Sequence, residues 1–134
     1  ADREKKEQKD WNRALRETKG DEGRLVSSFW YEAELQDSDC SGKALCFLQF
    51  ENCSLQNMNF GKADLIGARF RKCKLTSCDF RGAILRQTIF EECKWDQCDF
   101  QGADLTECIF FEDDIPFLHL DADQLQVILI DRRV

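Results

Sequence analysis

The chain has 134 residues, 43% of them hydrophobic, enough for one domain with a packed core. Its formal charge of −7 argues against a nucleic-acid binder that works by counterion release, and suits solubility or a basic partner. No apolar run approaches the ~18 residues of a membrane span, and no leader of charged then apolar residues marks a signal peptide.

The chain starts at Ala1 rather than Met, so a fragment or trimmed product is expected. Residues 1–19 are dense in charge and lack Gly and Pro. Their only large apolar residues, Trp11 and Leu15, lie at i and i+4, which predicts a helix with a narrow apolar stripe. Gly20 and Gly23 end it. Residues 1–27 therefore read as a charged helix and a linker.

From Ser28 a five-residue register sets in. Large residues fall at multiples of five, and a small residue stands two positions before each. Ser28/Trp30, Ala33/Leu35 and Ser38/Cys40 are weak units, and Lys43/Leu45 breaks the small-residue rule. From Leu48/Phe50 to Cys108/Phe110 the register runs without insertion. A period of 20 lies inside it. Leu45, Leu65, Leu85 and Leu105 correspond, as do Phe50, Phe70, Phe90 and Phe110, and Phe60, Phe80 and Phe100. A helix cannot produce this, because five residues turn about 140° from one apolar residue to the next. An ordinary strand cannot, because five is odd. Four units of five describe a square coil with the large residues inside. Stacked coils then place like residues above one another at about 4.8 Å.

The units "ADLIG" (63–67), "CDFRG" (78–82), "CDFQG" (98–102) and "ADLTE" (103–107) resemble the pentapeptide repeat family. The resemblance covers residues 28–112. It implies an all-β solenoid, a right-handed quadrilateral β-helix of about four coils. Lys43 departs from the pattern and predicts a bulge or an irregular first coil.

Residues 113–134 read as a degenerate last coil and a C-terminal cap, since Asp113, Asp114 and Pro116 interrupt the small positions while Ile115 and Leu120 keep the large ones. Asp121 or Asp123 could N-cap a short helix with Leu125, Ile128 and Leu129 on one face and Arg132 and Arg133 at its negative end. The β-branched Val127, Ile128 and Ile130 favour a final strand instead. Either way the segment has an open solenoid end to close. Homodimerisation through Leu125, Ile128 and Leu129 is the alternative, and it resembles the topoisomerase-protecting members of the family.

Six of the eight cysteines, Cys53, Cys73, Cys78, Cys93, Cys98 and Cys108, fall at small inward positions and read as core thiols of a reducing, cytoplasmic compartment. Their spacing suits the sides of a square rather than a zinc site. His119 is the only histidine and has no nucleophile arranged around it by sequence. No catalytic, cofactor or metal site is expected, and the chain reads as a non-enzyme.

Function then rests on outward residues. Asp79 and Asp99, after Asn59, form one acidic ladder, and Asp64 and Asp104, broken by Ile84, form another. Glu51, Arg71 and Glu91 alternate in sign. Arg69, Ile89 and Ile109, with Phe111 beside them, form an outward apolar surface, and the N-terminal helix is the expected cover, with a partner protein the alternative. The leading expectation is a non-catalytic protein–protein interaction scaffold, with a place as the C-terminal module of a larger protein. The alternative is a DNA mimic acting on a type II topoisomerase such as gyrase, as the family resemblance implies. Arg69, Arg71, Lys72, Lys74, Arg81 and Arg86 interrupt the acidity that mimicry needs. An unidentified protein partner is expected, with no direct nucleic-acid binding and no membrane contact.

Overall fold

A computed structural model describes residues 5–20 and 23–132. Helix α1, Lys6–Arg16, leads into β1 (Phe29–Tyr31), β2 (Glu34–Asp39), β3 (Gln49–Glu51), β4 (Ser54–Asn59), β5 (Arg69–Arg71), β6 (Lys74–Thr76), β7 (Ile89–Glu91), β8 (Lys94–Asp96) and β9 (Ile109–Phe111). A 3-10 helix over Glu112–Phe117, helix α2 over Ala122–Val127 and strand β10, Leu129–Asp131, are the last elements among the described residues.

The register of 20 is literal in the backbone. Strands β1, β3, β5, β7, β9 and β10 form one parallel sheet, and β2, β4, β6 and β8 a second. Trp30 pairs with Phe50, Phe50 with Phe70, and Phe70 with Phe90. The other two sides of the square pair through single bridges, Asn59–Asp79–Asp99 on the third face and Ala44–Asp64–Ile84–Asp104 on the fourth.

Each corner turns on a residue with positive φ. From Ser27 to Glu107, every position two after a multiple of five has φ between +51° and +73°. None of these residues is β-branched, the type that fits this region worst. Two corners of each coil close as type II turns, as where Ala63 N–H donates to Phe60 O at 3.0 Å. Phe47 is the unusual corner residue, aromatic and 52% exposed. Its ring lies over Gly67, where a Cβ would sit 2.5 Å from Cε1. A side chain at 67 would evict the ring.

The core is two aromatic ladders that meet in the middle. Phe50, Phe70, Phe90 and Phe110 rise from the first face with centroids 4.8–5.3 Å apart. Phe60, Phe80 and Phe100 rise from the third face at 5.2 and 4.9 Å. Across the square the rings meet edge to face, as in Phe70–Phe80 at 6.0 Å and 83°. Leucines fill the other two faces. Trp95 replaces leucine and is half-buried, with its indole N–H donating to Asp114 at 3.3 Å.

Two expectations need correction. Lys43 causes no bulge: its N–H closes the same turn onto Cys40 O at 3.2 Å, and its carbonyl accepts from Asp64 at 2.9 Å. The side chain is only half-buried there, so a lysine fits without disturbing the coil. Nor does α1 cover Ile89, Ile109 and Phe111. It closes the N-terminal end, where Trp11 is fully buried against Trp30 (5.3 Å) and Phe50 (5.6 Å).

Phe80→Ala should cost roughly 3–5 kcal/mol in urea unfolding, because Phe60 and Phe100 would flank an unfilled cavity. The outward Gln56→Ala should stay within about 0.5 kcal/mol. Similar losses in both would refute the inward register.

Candidate interaction surface

Half-way outward positions separate into two kinds, those that build corners and those that do not. On the third face Asp39, Asn59, Asp79 and Asp99 each accept, through Oδ1, the backbone N–H two residues on, at 2.9–3.1 Å. On the fourth face Asp64 and Asp104 do the same to Ile66 and Thr106, at 3.1 and 3.2 Å. These are Asx turns. Both acidic ladders are therefore part of the corner chemistry. They are also met by arginine: Arg81 bonds Asp79 at 2.9 Å and lies 3.9 Å from Asp99, and Arg86 bonds Asp104 at 2.6 Å. The Arg81 and Arg86 guanidinium groups hold the Asp79 and Asp104 carboxyls below the usual carboxylate range.

The first face has no such turns. Its outer rows, in stacking order, carry Phe29 and Tyr31, Gln49 and Glu51, Arg69 and Arg71, Ile89 and Glu91, Ile109 and Phe111, and Leu129 and Asp131. The centre is a charge network. Arg71 pairs with both Glu51 and Glu91, the latter at 2.7 Å, and Arg69 reaches Glu91 at 3.2 Å. The two ends are apolar. Phe29 and Tyr31 are 57% and 56% exposed, with rings stacked 6.5 Å apart. Leu129 is 48% exposed beside the half-buried Ile109.

The structure thus puts Arg69, Ile89, Ile109 and Phe111 on one flat sheet face, as the 20-residue step implies. It adds Phe29, Tyr31 and Leu129, which the sequence reading left out because their repeats look degenerate. The segment meant as cap or dimer contact divides. Ile128 is buried, while Leu125 and Leu129 are exposed, so the three share no helical face. The reason is that α2 stops at Val127 and the chain turns extended at Ile128. Helix and final strand, posed as rivals, both form. Asp121 is the N-cap, in a capping box with Gln124. Arg133 lies outside the described residues.

The small inward positions are less inert than their burial suggests. Thiols and hydroxyls there donate to the carbonyl 23 residues back: Cys53 to Trp30 (3.3 Å), Cys73 to Phe50 (3.6 Å), Cys93 to Phe70 (3.2 Å) and Thr88 to Leu65 (2.7 Å). All eight cysteines are free thiols. Burial pushes Cys40 up to about 12 and Cys108 well above its ordinary value. Cys98 departs from the expected core placement and is only half-buried.

Square coils of parallel strands, an inward residue at every fifth position and Asx-turn corners define a class, the right-handed quadrilateral β-helix. A family model described as a pentapeptide repeat region matches residues 43–119, more than half of the chain. The chain belongs to the pentapeptide repeat family. By fold it is similar to a trypsin-treated variant of QnrB1, a plasmid-mediated fluoroquinolone resistance protein, with TM-score 0.58 and 24% identity over 65% of this chain and 50% of that one. Full-length QnrB1 matches with TM-score 0.57 and 22% identity, over 65% and 51% of the two chains. A weaker match, TM-score 0.45 and 17% identity over 64% and 72%, is the pentapeptide repeat protein Rfr23 from the cyanobacterium Cyanothece 51142. The chain spans about half the length of the QnrB1 structures. Comparison with curated proteins gives no significant match. Among the described residues, no helix is long and apolar enough to cross a membrane.

Asp79→Ala removes the Asx-turn acceptor and should cost about 1 kcal/mol, whereas Asp79→Asn keeps an acceptor and should cost less. The folded carboxyl titrates lower than the unfolded one, so its ionic contribution is present above the unfolded value and is lost as pH falls. The deficit of the Asn variant should therefore begin to shrink in acid melts below about pH 4 and vanish once the pH has passed the lower folded value, and a deficit that does not shrink as the pH falls would rule out the ionic origin.

Proposed function

We propose that this chain is a non-catalytic protein–protein interaction scaffold whose docking surface is the first face of the β-helix. The observation that carries the reading is the exposure of Phe29, Tyr31 and Leu129 on a flat sheet that also displays a fixed Arg–Glu network. Inward residues are committed to the core and the outward acids of two faces to corners. An apolar, aromatic-ended sheet face with charges at its centre suits a protein surface, with the rings as anchors and the charges setting register. Eight free thiols suit a reducing compartment, and a cytoplasmic setting is part of this reading.

A photo-crosslinking residue at Tyr31 should capture one discrete protein partner, and the same residue at Gln56, on the second face, should not. Equal capture from both positions would sink the docking assignment.

A topoisomerase-directed role is the second reading, and the fold similarity to QnrB1 is what favours it. The arginine pairing of Asp79, Asp99 and Asp104 weighs against an evenly acidic, DNA-like surface. Gyrase supercoiling with and without a quinolone separates the two, since protection of the enzyme would favour the second.

End-to-end pairing of two copies also belongs to this proposal. Strand β10 is the last of the six-stranded sheet, and a terminal strand edge is a template for another strand. Light scattering should then give a concentration-independent mass of two chains, and a mass of one chain would exclude it.

A further inference from the structure

The inward cysteines form two stacks. Cys53, Cys73 and Cys93 stand above one another and are all buried. Cys78 and Cys98 form the second stack, which differs at its end. Cys78 is 1% exposed, but Cys98 lies in the wall of an open groove of about 550 Å³, with Gln97, Asp99, Leu118, His119 and Asp121. The groove exists because the next coil does not repeat. Leu118 occupies the position that would stack on Cys98, and the chain reaches it through the 3-10 helix rather than a strand, so the seal is incomplete.

The two thiols are held as translated copies. Asp99 N–H donates to Cys78 O at 3.2 Å, and Asp79 pairs with Asp99. Cys78 Sγ donates to Leu55 O and Cys98 Sγ to Leu75 O, both at 3.5 Å. One coil separates them, about 4.8 Å between Cα atoms, inside the range a disulfide spans.

We propose that Cys98 and Cys78 are an oxidisable dithiol, in which a hydroperoxide entering the groove oxidises Cys98 and Cys78 resolves it as a disulfide between the third and fourth coils. In the first step the Cys98 thiolate sulfur attacks a peroxide oxygen, the O–O bond breaks, and the leaving oxygen takes a proton to depart as water or an alcohol. Cys98 becomes a sulfenic acid. In the second, Cys78 sulfur attacks Cys98 sulfur, the S–O bond breaks, and hydroxide leaves with the Cys78 proton as water. Two thiols lose two electrons and one peroxide gains them. The roles follow from position: Cys98 meets solvent and Cys78 does not. The mutual influence of the two thiols has the same sense, lowering Cys98 and raising the buried Cys78.

The test is native exposure of the full chain to stoichiometric hydrogen peroxide, followed by alkylation, digestion and mass spectrometry. The expected product is a Cys78–Cys98 linked peptide, reversed by dithiothreitol and formed at least about ten times faster than any oxidation of Cys53, Cys73 or Cys93. Cys98→Ser should leave Cys78 reduced, and Cys78→Ser should leave a Cys98 sulfenic acid that dimedone traps, with circular dichroism confirming that both variants fold. The wild-type map decides by itself if either variant fails to fold. Oxidation of Cys98 no faster than the first stack, or Cys98 advancing to sulfinic acid while Cys78 stays free, would overturn the proposal.

Discussion

Backbone hydrogen bonding between coils stacked in a register of 20 residues is the constraint on which this molecule depends. Each coil satisfies its amides and carbonyls only by lying in register on the next, as where Arg69 bonds Leu48, Ile89 bonds Ala68 and Ile109 bonds Thr88, each at 2.9 Å. A coil can be 20 residues long only if it turns a right angle every five. That requires a left-handed residue at each corner, which excludes β-branched residues from all of them. With the backbone fixed, like positions stack, and the phenylalanine ladders follow as the side chains that fill a square of this size.

A ladder of this kind has two open ends, and both are closed by a glutamine carried on a helix. At the start, Gln8 of α1 accepts from Gln36 N–H at 2.8 Å with Oε1, the bond that an earlier coil would have made. At the finish, Gln124 of α2 donates from Nε2 to Phe100 O at 2.8 Å and to Ala103 O at 3.2 Å. Gln124 is 20 residues after Asp104, whose own N–H bonds Ala83 O, so the side-chain amide stands in for the missing backbone donor. Both glutamines are buried, and an unmet backbone group there would cost about 1–3 kcal/mol. Trp11 adds the apolar half of the N-terminal closure, and Ile128 and Leu118 the C-terminal half. Beyond α2 the chain regains its register at once, with Leu129 N–H on Cys108 O at 2.8 Å.

The repeat made the coils legible because inward residues answer only to the core. Every fifth residue from Leu35 to Leu85 is buried, and the period of 20 predicted which side chains would touch. The ends were not legible for the same reason: Gln8 and Gln124 act once each and leave no period. Lys43 misled because its backbone obeys the register while its side chain does not. The acidic ladders are ambiguous in another way. An aspartate in sequence carries both a charge and a turn-forming oxygen, and only the folded backbone shows that Asp64, Asp79, Asp99 and Asp104 all place the oxygen at a corner while the charges of Asp79, Asp99 and Asp104 meet arginine. Among the surface residues, Ile89 and Ile109 could be picked out because they break a polar pattern. Phe29 and Tyr31 could not, because the first coil looked irregular.

Division of labour along each five-residue unit finally limits which outward positions are free of structural duty. The large and small positions belong to the core, and the corner residue must accept a left-handed backbone. On the third and fourth faces the remaining outward position is mostly given to Asp or Asn, because the type II turns there offer an N–H two residues on. On the first face no such turn exists, so its outward rows are released from structural duty. That freedom explains how aromatic, aliphatic and paired charged residues can occupy the rows of one sheet without cost to the coil. Substitution on this face leaves the backbone ladder beneath it in place, so the fold by itself does not dictate what the face displays.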